Sequence, residues 1–105
     1  SSAVQEDPVS MGWGAGRKLR RAIDGLGRVI AIELLASTRA LDFRARADEG
    51  SPAAATEAVR LLFRTRIAGP ATDIFLSPTI TAATEFVVSG AVVATVQDAL
   101  GGDLA

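Results

Sequence analysis

Apolar residues recur along the first half of the chain at the spacing of an α-helix. The recurring positions lie three, four or seven residues apart and are Leu19, Ile23, Leu26, Ile30, Leu34 and Leu41. This spacing places them on one face of a helix. Between Val29 and Ala36 every position except Glu33 is apolar, so the apolar face widens until it nearly encircles the helix. The pattern predicts a long helix that is surrounded by other helices.

Three dipeptides in the chain place a capping residue directly before a proline. Asp7-Pro8, Ser51-Pro52 and Ser77-Pro78 each combine a good N-cap with a residue that fits the first helical position. Helix-ending signals are the charged stretch that stops at Gly50 and the run Ala68-Gly69-Pro70. We therefore predict a loop over residues 1–7 and helices over residues 8–44, 51–67 and 77–100.

The last of these helices contains the run FVVSGAVVATV, which is rich in the β-branched residues that favour strands. Its length favours a helix, because Ser89-Gly90 is the only turn signal within it. In the first helix, Gly25 and Gly27 are expected where other helices approach closely, and Gly12–Gly16 where the helix is irregular. The chain is predicted to be all-α and to form part of a larger helical bundle.

Composition agrees with a folded domain of 105 residues, since 49% of them are hydrophobic, 22% are charged and the net charge is −1. This charge argues against nucleic acid or an acidic membrane as a general partner. The longest apolar stretch, Phe86–Val96, is shorter than the roughly 20 residues of a membrane span. The first residues show no signal peptide, so a cytoplasmic location is expected. Because residue 1 is Ser and the only methionine is Met11, we expect a piece of a longer protein.

Cysteine, histidine and tyrosine are all absent, which excludes a Cys–His nucleophile pair within this chain and removes the usual zinc ligands. No metal site is therefore predicted. The segment Gly12–Gly16 and the basic residues after it are compatible with a phosphate site, but the favoured interpretation is a solvated helix face or ion pairs to other chain segments. Glu33 lies in an apolar run, and we expect it to pair with an arginine or another hydrogen-bond donor.

The segment Gln5-Glu6-Asp7 precedes a predicted helix start. Such residues are stabilised by the free N–H groups and the positive dipole end of a helix, so they form a plausible capping cluster. A carboxylate held just outside a rigid helix is also well placed to bind a polar group of a substrate. The residues alone leave both interpretations open.

The segment Gln5-Glu6-Asp7-Pro8-Val9-Ser10-Met11-Gly12, with GRKLRRAIDGLGRVIAIELLASTRALDFR after it, resembles the aromatic amino acid ammonia-lyases, most of all the histidine ammonia-lyases. That family carries Gln-Glu-Asp-His-Val-Ser-Met-Gly here, then a long helix with Ala-Ile-Glu-Leu-Leu-Ala and Leu-Asp-Phe-Arg. The likeness is close from Ser1 to Arg44 and looser beyond. It implies that residues 1–105 are the C-terminal segment of such a protein, with long antiparallel helices in a fumarase/aspartase-like bundle.

The resemblance implies a chemistry as well. Family members use an electrophilic 4-methylideneimidazol-5-one, formed from Ala-Ser-Gly, to eliminate ammonia from an L-amino acid and leave an α,β-unsaturated acid. It implies that Glu6 is a catalytic and substrate-binding residue near the imidazole of histidine, within an active-site loop at residues 1–7. Gln5 is implied to be a supporting substrate-binding residue. Implied partners are the remaining N-terminal portion of the lyase, further subunits of a homotetramer and the amino-acid substrate.

The chain departs from the family pattern at three places. Ala-Ser-Gly is absent, and its nearest match is Val88-Ser89-Gly90 within the last predicted helix. Val4 replaces an asparagine of the family, and Pro8 replaces its histidine. The 105 residues by themselves are therefore expected to be inactive. The alternative hypothesis is a non-catalytic helical interaction or scaffold subunit, a degenerate relative of the lyases.

Overall fold

A computed structural model describes residues 2–48, 50, 52–69 and 76–102, with side chains described from residue 12 onward and, in the last range, from residue 77. The described residues form helices and connecting turns without any strand, which confirms the all-α prediction. The helices are α1 (Ser2–Arg46), α2 (Ala54–Arg64), α3 (Leu76–Val88) and α4 (Ala91–Leu100).

Helix α1 dominates the shape of the molecule. Its 45 residues correspond to about 67 Å at the rise of an α-helix, close to the longest dimension of the molecule, 71 Å. The helix begins at Ser2, so the backbone of residues 2–7 is helical and not the predicted loop. Asp7 consequently lies inside the helix and does not begin it. Pro8 cannot donate the backbone hydrogen bond of its helical turn, whereas Ala, Gln and Glu near this end are good helix formers.

Helix α2 is shorter than predicted at both ends. Ala53 is its N-cap, with an extended backbone (φ −58°, ψ 155°) and no side-chain capping bond, so the proline signal at residue 52 lies before the helix. After Arg64 the chain continues as a turn, in which the Ile67 N–H donates to the Phe63 carbonyl at 2.8 Å. Sequence periodicity alone predicted helix as far as residue 67, where the structure has this turn.

The prediction of one helix over residues 77–100 is wrong, because α3 ends at Val88 and α4 begins at Ala91, with 60° between them. Gly90 has φ 84° and ψ 4°, a left-handed conformation that glycine adopts without the steric cost of a Cβ. No single helix in the described ranges has the length and hydropathy of a membrane span, although the bent pair α3–α4 meets both criteria when taken together.

The core lies where the C-terminal half of α1 packs against α2 and α3, and α4 packs against α2 and α3 in turn. Phe63 of α2 is fully buried and stacks on Phe86 of α3, with ring centroids 5.4 Å apart. From Gly12 onward on α1, Gly27 is the first buried residue, and a Cβ placed there would lie 3.4 Å from Val88 Cγ2. The other buried apolar residues are Ala31, Val59, Ile67, Ala82 and Ala83.

Much of the apolar surface of α1 remains uncovered. Leu34 and Leu41 are half-buried, but Leu19, Ile23 and Leu26 are 58–62% exposed. The prediction that other helices surround α1 is therefore only partly fulfilled within this chain. Gly27 lies at a close approach as expected, whereas no atom of the described residues lies within 4 Å of a Cβ at Gly25.

Candidate active-site segment

The predicted site residues lie at the far end of α1. Gln5 and Glu6 belong to the first turns of the helix, and their side chains lie outside the described residues. Along the axis, Glu6 is 21 residues from Gly27, where the core begins, which corresponds to about 31 Å. From Gly12 to Leu26, every residue is exposed except Gly14, which is half-buried. Helices α2–α4 therefore leave α1 open between Gly12 and Leu26.

The segment Gly12–Gly16 is helical and regular, not irregular as predicted. A phosphate-binding loop presents free backbone N–H groups, but a helix interior uses those groups in its own hydrogen bonds. The basic residues that follow are exposed, and Arg17 lies over the ring of Trp13 at 5.5 Å. The geometry favours the solvated helix face over the phosphate site.

An ion-pair cluster that the sequence did not predict joins α1 to α2. The Asp42 carboxylate, which is 8% exposed, accepts hydrogen bonds from Arg60 Nη1 at 2.9 Å and from Arg64 Nε at 2.8 Å. Arg64 Nη2 also donates to Asp42, and Arg60 donates to Glu57. Arg64 Nη1 reaches the Ile67 carbonyl at 3.1 Å, which holds the turn after α2. The cluster ties α1 to α2 and engages the charged groups of Asp42, Arg60 and Arg64 in hydrogen bonds.

Electrostatics within this cluster favour its charged state. Burial alone would raise the pKa of the Asp42 carboxyl, but the hydrogen bonds from Arg64 and Arg60 outweigh burial and lower that pKa below its usual value. The hydrogen bond from Arg60 likewise lowers the pKa of Glu57.

The sequence placed Glu57, Arg60 and Arg64 on one face of α2, which was a signal for an ion-pair cluster. Asp42, the partner of the two arginines, lies 18 residues before Arg60 and 22 residues before Arg64.

Glu33 does not form the pair that we predicted for it. Its side chain is exposed, because it points away from the core side of α1, which carries Gly27 and Ala31. No hydrogen bond or ion pair joins it to any other described side chain. The apolar neighbours of Glu33 in the sequence therefore do not bury it within this chain.

An apolar cleft of about 210 Å³ lies between α1, the turn after α2 and α3, with Ile32, Leu35, Ile67 and Ile80 among its lining residues. It contains no carboxylate, and Ile32 is about 39 Å along α1 from Glu6. Among the described residues, no three acidic side chains lie close enough together to hold a metal ion. Neither feature adds chemistry to the predicted site.

Val88-Ser89-Gly90 occupies the turn between α3 and α4. The Ser89 hydroxyl donates to the Phe86 carbonyl at 3.3 Å and accepts from the Ala91 N–H at 3.3 Å. Both interactions hold the local turn. Val88-Ser89-Gly90 thus does not match the Ala-Ser-Gly from which the family's electrophile forms. Its first residue is valine, and its serine stabilises the turn between α3 and α4.

The described helices leave the part of α1 from Gly12 to Leu26 largely uncovered. Residues 1–65 match the model of the family described as aromatic amino acid lyase, and the chain belongs to this family. It is 52% identical over 102 residues to a histidine ammonia-lyase of Streptomyces griseus, which covers 96% of this chain and 20% of that protein.

Further similar proteins carry the same name. Histidine ammonia-lyases of Symbiobacterium thermophilum and Chloroflexus aurantiacus are 44% and 41% identical, over 96% and 90% of this chain and 19% and 18% of theirs. The chain therefore spans about one fifth of the length of these relatives. No solved structure matches it. These comparisons confirm the resemblance seen in the sequence.

Proposed function

We propose that this chain is the C-terminal helical part of a histidine ammonia-lyase-like enzyme, which eliminates ammonia from an L-amino acid to give an α,β-unsaturated acid. The observation that carries the proposal is the segment Gln5-Glu6-Asp7 at the start of a family match over residues 1–65. The names of the relatives support histidine as the substrate.

Glu6 is the residue of this chain that serves the reaction. In this proposal, the carboxylate of Glu6 binds the imidazole ring of the substrate, and Gln5 supports the carboxylate by hydrogen bonding. The position of Glu6 on α1, about 31 Å from the core of this chain, agrees with a site that several chain segments build together. A carboxylate at the end of a long helix is held by a rigid element, which suits the positioning of a substrate.

The electrophile of the family, 4-methylideneimidazol-5-one, would come from the remaining N-terminal portion of the lyase. This chain has no Ala-Ser-Gly, and Ser89 is engaged in a helix-breaking turn. When bound, the group supplies an electron sink for the loss of ammonia. We further propose a homotetramer in the cytoplasm, in which that portion and other subunits cover the apolar surface of α1.

A second candidate function is a non-catalytic helical scaffold subunit. The observations that favour it are Val4 and Pro8, which replace an asparagine and a histidine of the family next to Glu6. The wide uncovered apolar surface of α1 suits either function, because both require a partner.

The experiment compares Glu6→Ala and Glu6→Gln with the unchanged protein, all as the complete lyase that contains this segment. Formation of urocanate from histidine, followed by absorbance, is expected to fall by at least 100-fold in both variants, while the thermal midpoint changes little. Asp24→Asn serves as the control, since Asp24 is an exposed carboxylate on the same helix.

The 105-residue chain alone is expected to form no urocanate. Turnover by this chain would overturn the assignment of the electrophile to another portion. An unchanged rate in both Glu6 variants would reject the role of Glu6, and an inactive complete protein that still assembles would favour the scaffold.

A further inference from the structure

Helix α1 packs against α3 where two of its buried residues are small. Gly27 and Ala31 lie four residues apart, about one turn, so both face the same side of α1. Gly27 is buried, and Ala31 has no exposed surface. Ala31 belongs to the same core cluster as Ala83 of α3, which is also fully buried. Because the distance between packed helices depends on the side chains at their contact, small residues here permit a close approach.

The contact at Gly27 has little room for a larger side chain. A Cβ placed there would lie 3.4 Å from Val88 Cγ2, which is contact distance for two carbon atoms. An alanine therefore fits. A valine adds two methyl groups beyond that Cβ, and at a buried position these atoms have to displace their neighbours. At Gly25, two residues earlier, no described atom lies within 4 Å of a Cβ, so this restriction belongs to Gly27.

The separation of α1 and α3 at Gly27 bears on the direction of the rest of α1. The helix runs unbroken from Ala31 back to the turn that carries Glu6. Glu6 lies about 38 Å from Ala31 along the axis, whereas Gly27 lies about 6 Å from it. With Ala31 as the pivot, a displacement at Gly27 is therefore multiplied about sixfold at Glu6. A shift of about 0.2 Å at Gly27 would move Glu6 by about 1.2 Å.

A displacement of this size matters for a group that positions a substrate. Misplacement by about 1 Å, caused far from the chemistry, can lower a rate about 100-fold. We propose that the contact between Gly27 and Val88 sets the position of Glu6, which makes Gly27 a positioning residue for the reaction. The proposal rests on the function proposed above, because it requires Glu6 to act in the site. It gives α3 the role of fixing the direction of α1.

The experiment enlarges Gly27 in the complete lyase that contains this segment. Gly27→Val should lower kcat for urocanate formation about tenfold, because the added methyl groups push α1 away from Val88. Gly27→Ala is the matched control, since its one added carbon fits at contact distance, and its kcat should stay within about twofold of the unchanged enzyme. The thermal midpoint of each variant is measured as well, and kcat is expressed per folded enzyme. If Gly27→Val does not fold, Gly27→Ser adds one atom fewer and should give an intermediate loss of kcat.

A substitution on α3 tests the contact itself. Val88→Ala removes Cγ2 from the place where Gly27→Val needs room. Val88 is 71% exposed among the described residues, so its truncation removes little surface buried within this chain. Gly27→Val combined with Val88→Ala should therefore recover most of the lost kcat. A loss that came only from the poor helix propensity of valine would not be relieved at Val88.

A third comparison tests whether Gly27 acts through Glu6. In the Glu6→Ala variant, the carboxylate that requires positioning is gone. Gly27→Val should then lower the residual kcat no further, whereas two independent effects on the rate would multiply. A purely structural role of Gly27 would change the thermal midpoint but would not produce this dependence on Glu6.

The proposal is overturned if Gly27→Val leaves kcat unchanged, if Val88→Ala restores none of the lost kcat, or if Gly27→Val lowers kcat equally with and without the Glu6 carboxylate. The proposed function fails by a different result, which is an unchanged rate in Glu6→Ala itself. The two failures are therefore distinguishable.

Discussion

The ring of Phe63 on α2 lies against the ring of Phe86 on α3, with 29° between their planes and 5.4 Å between their centroids. Phe63 has no exposed surface, and Phe86 is 8% exposed. Arg66 lies over the ring of Phe86, 5.4 Å from its centroid, and forms an ion pair with Glu85 at 2.7 Å. This aromatic contact thus joins α2 to α3. The apolar core lies on one side of it, and the charged pair Arg66–Glu85 lies on the other.

Loss of this contact is expected to be severe. Phe63→Ala should lower the free energy of unfolding by about 3 to 5 kcal/mol, because it removes a fully buried ring and leaves a cavity. Urea unfolding followed by circular dichroism measures the change. Leu61→Ala is the matched control, since Leu61 lies on the same helix and is 53% exposed. Equal effects of the two substitutions would contradict the placement of the core at Phe63.

The Asp42 cluster predicts a second large effect. Asp42→Asn leaves two arginines without their shared carboxylate and is expected to cost about 2 to 3 kcal/mol at pH 7. Asp24→Asn removes the same charge from an exposed position on α1 and should change stability by less than about 0.5 kcal/mol. Equal midpoints for both variants in urea would show that the cluster does not stabilise the chain.

The pH dependence of this cluster follows from the lowered pKa of Asp42. Because the folded pKa lies below the unfolded one, the carboxylate stabilises the fold above the unfolded pKa of about 4. This stability is lost as the pH falls through the folded pKa. The difference between the unchanged chain and Asp42→Asn should therefore be largest near neutral pH and shrink in acid below pH ~4. A difference that is constant from pH 7 to acid would contradict the charged cluster.

Gly25 offers a stabilising substitution. A Cβ at this position meets no described atom within 4 Å, and the helical backbone accepts alanine, so Gly25→Ala should stabilise the chain by up to about 1 kcal/mol. Gly27→Ala is the comparison, because its Cβ would lie 3.4 Å from Val88 Cγ2. We therefore expect a smaller gain in stability from Gly27→Ala than from Gly25→Ala. Thermal unfolding of both variants tests this order, and a larger gain at Gly27 would contradict the close approach of α1 and α3.

The opposite result is expected at the break between α3 and α4. Gly90→Ala places a Cβ on a residue with φ 84° and should cost about 1 to 2 kcal/mol. The measurement is again thermal unfolding, with Gly25→Ala as the control for a helical glycine. A stabilised Gly90→Ala variant would mean that the two helices can join into one, as the sequence pattern predicted.

Local patterns in the sequence predicted a large part of this structure. Apolar spacing predicted the long first helix, and the charged stretch before Gly50 placed its end within two residues of Arg46. Gly27 was correctly expected at a close approach. These features depend on neighbours within a few turns, so periodicity and capping report them directly. The family resemblance likewise depended on a continuous run of residues, and the comparisons confirm it.

Features that depend on distant residues were not predicted. Asp42 lies 18 residues before Arg60, and no local rule connects an aspartate on one helix to arginines on another. The expected partner of Glu33 was wrong for this chain, because the sequence shows that its neighbours are apolar but not which side of α1 faces the core. The roles of Gln5 and Glu6 stay predictions, since their side chains lie outside the described residues.

Residue patterns along the chain establish that it is helical, that α1 is long and apolar on more than one side, and that it carries the lyase segment around Glu6. Packing between the helices establishes which side of α1 is buried, where Ser89-Gly90 divides the last helices, and that the end of α1 with Glu6 extends beyond the core. The reason is physical: hydrogen bonding within a helix is set by nearby residues, whereas burial is set by whatever packs against it.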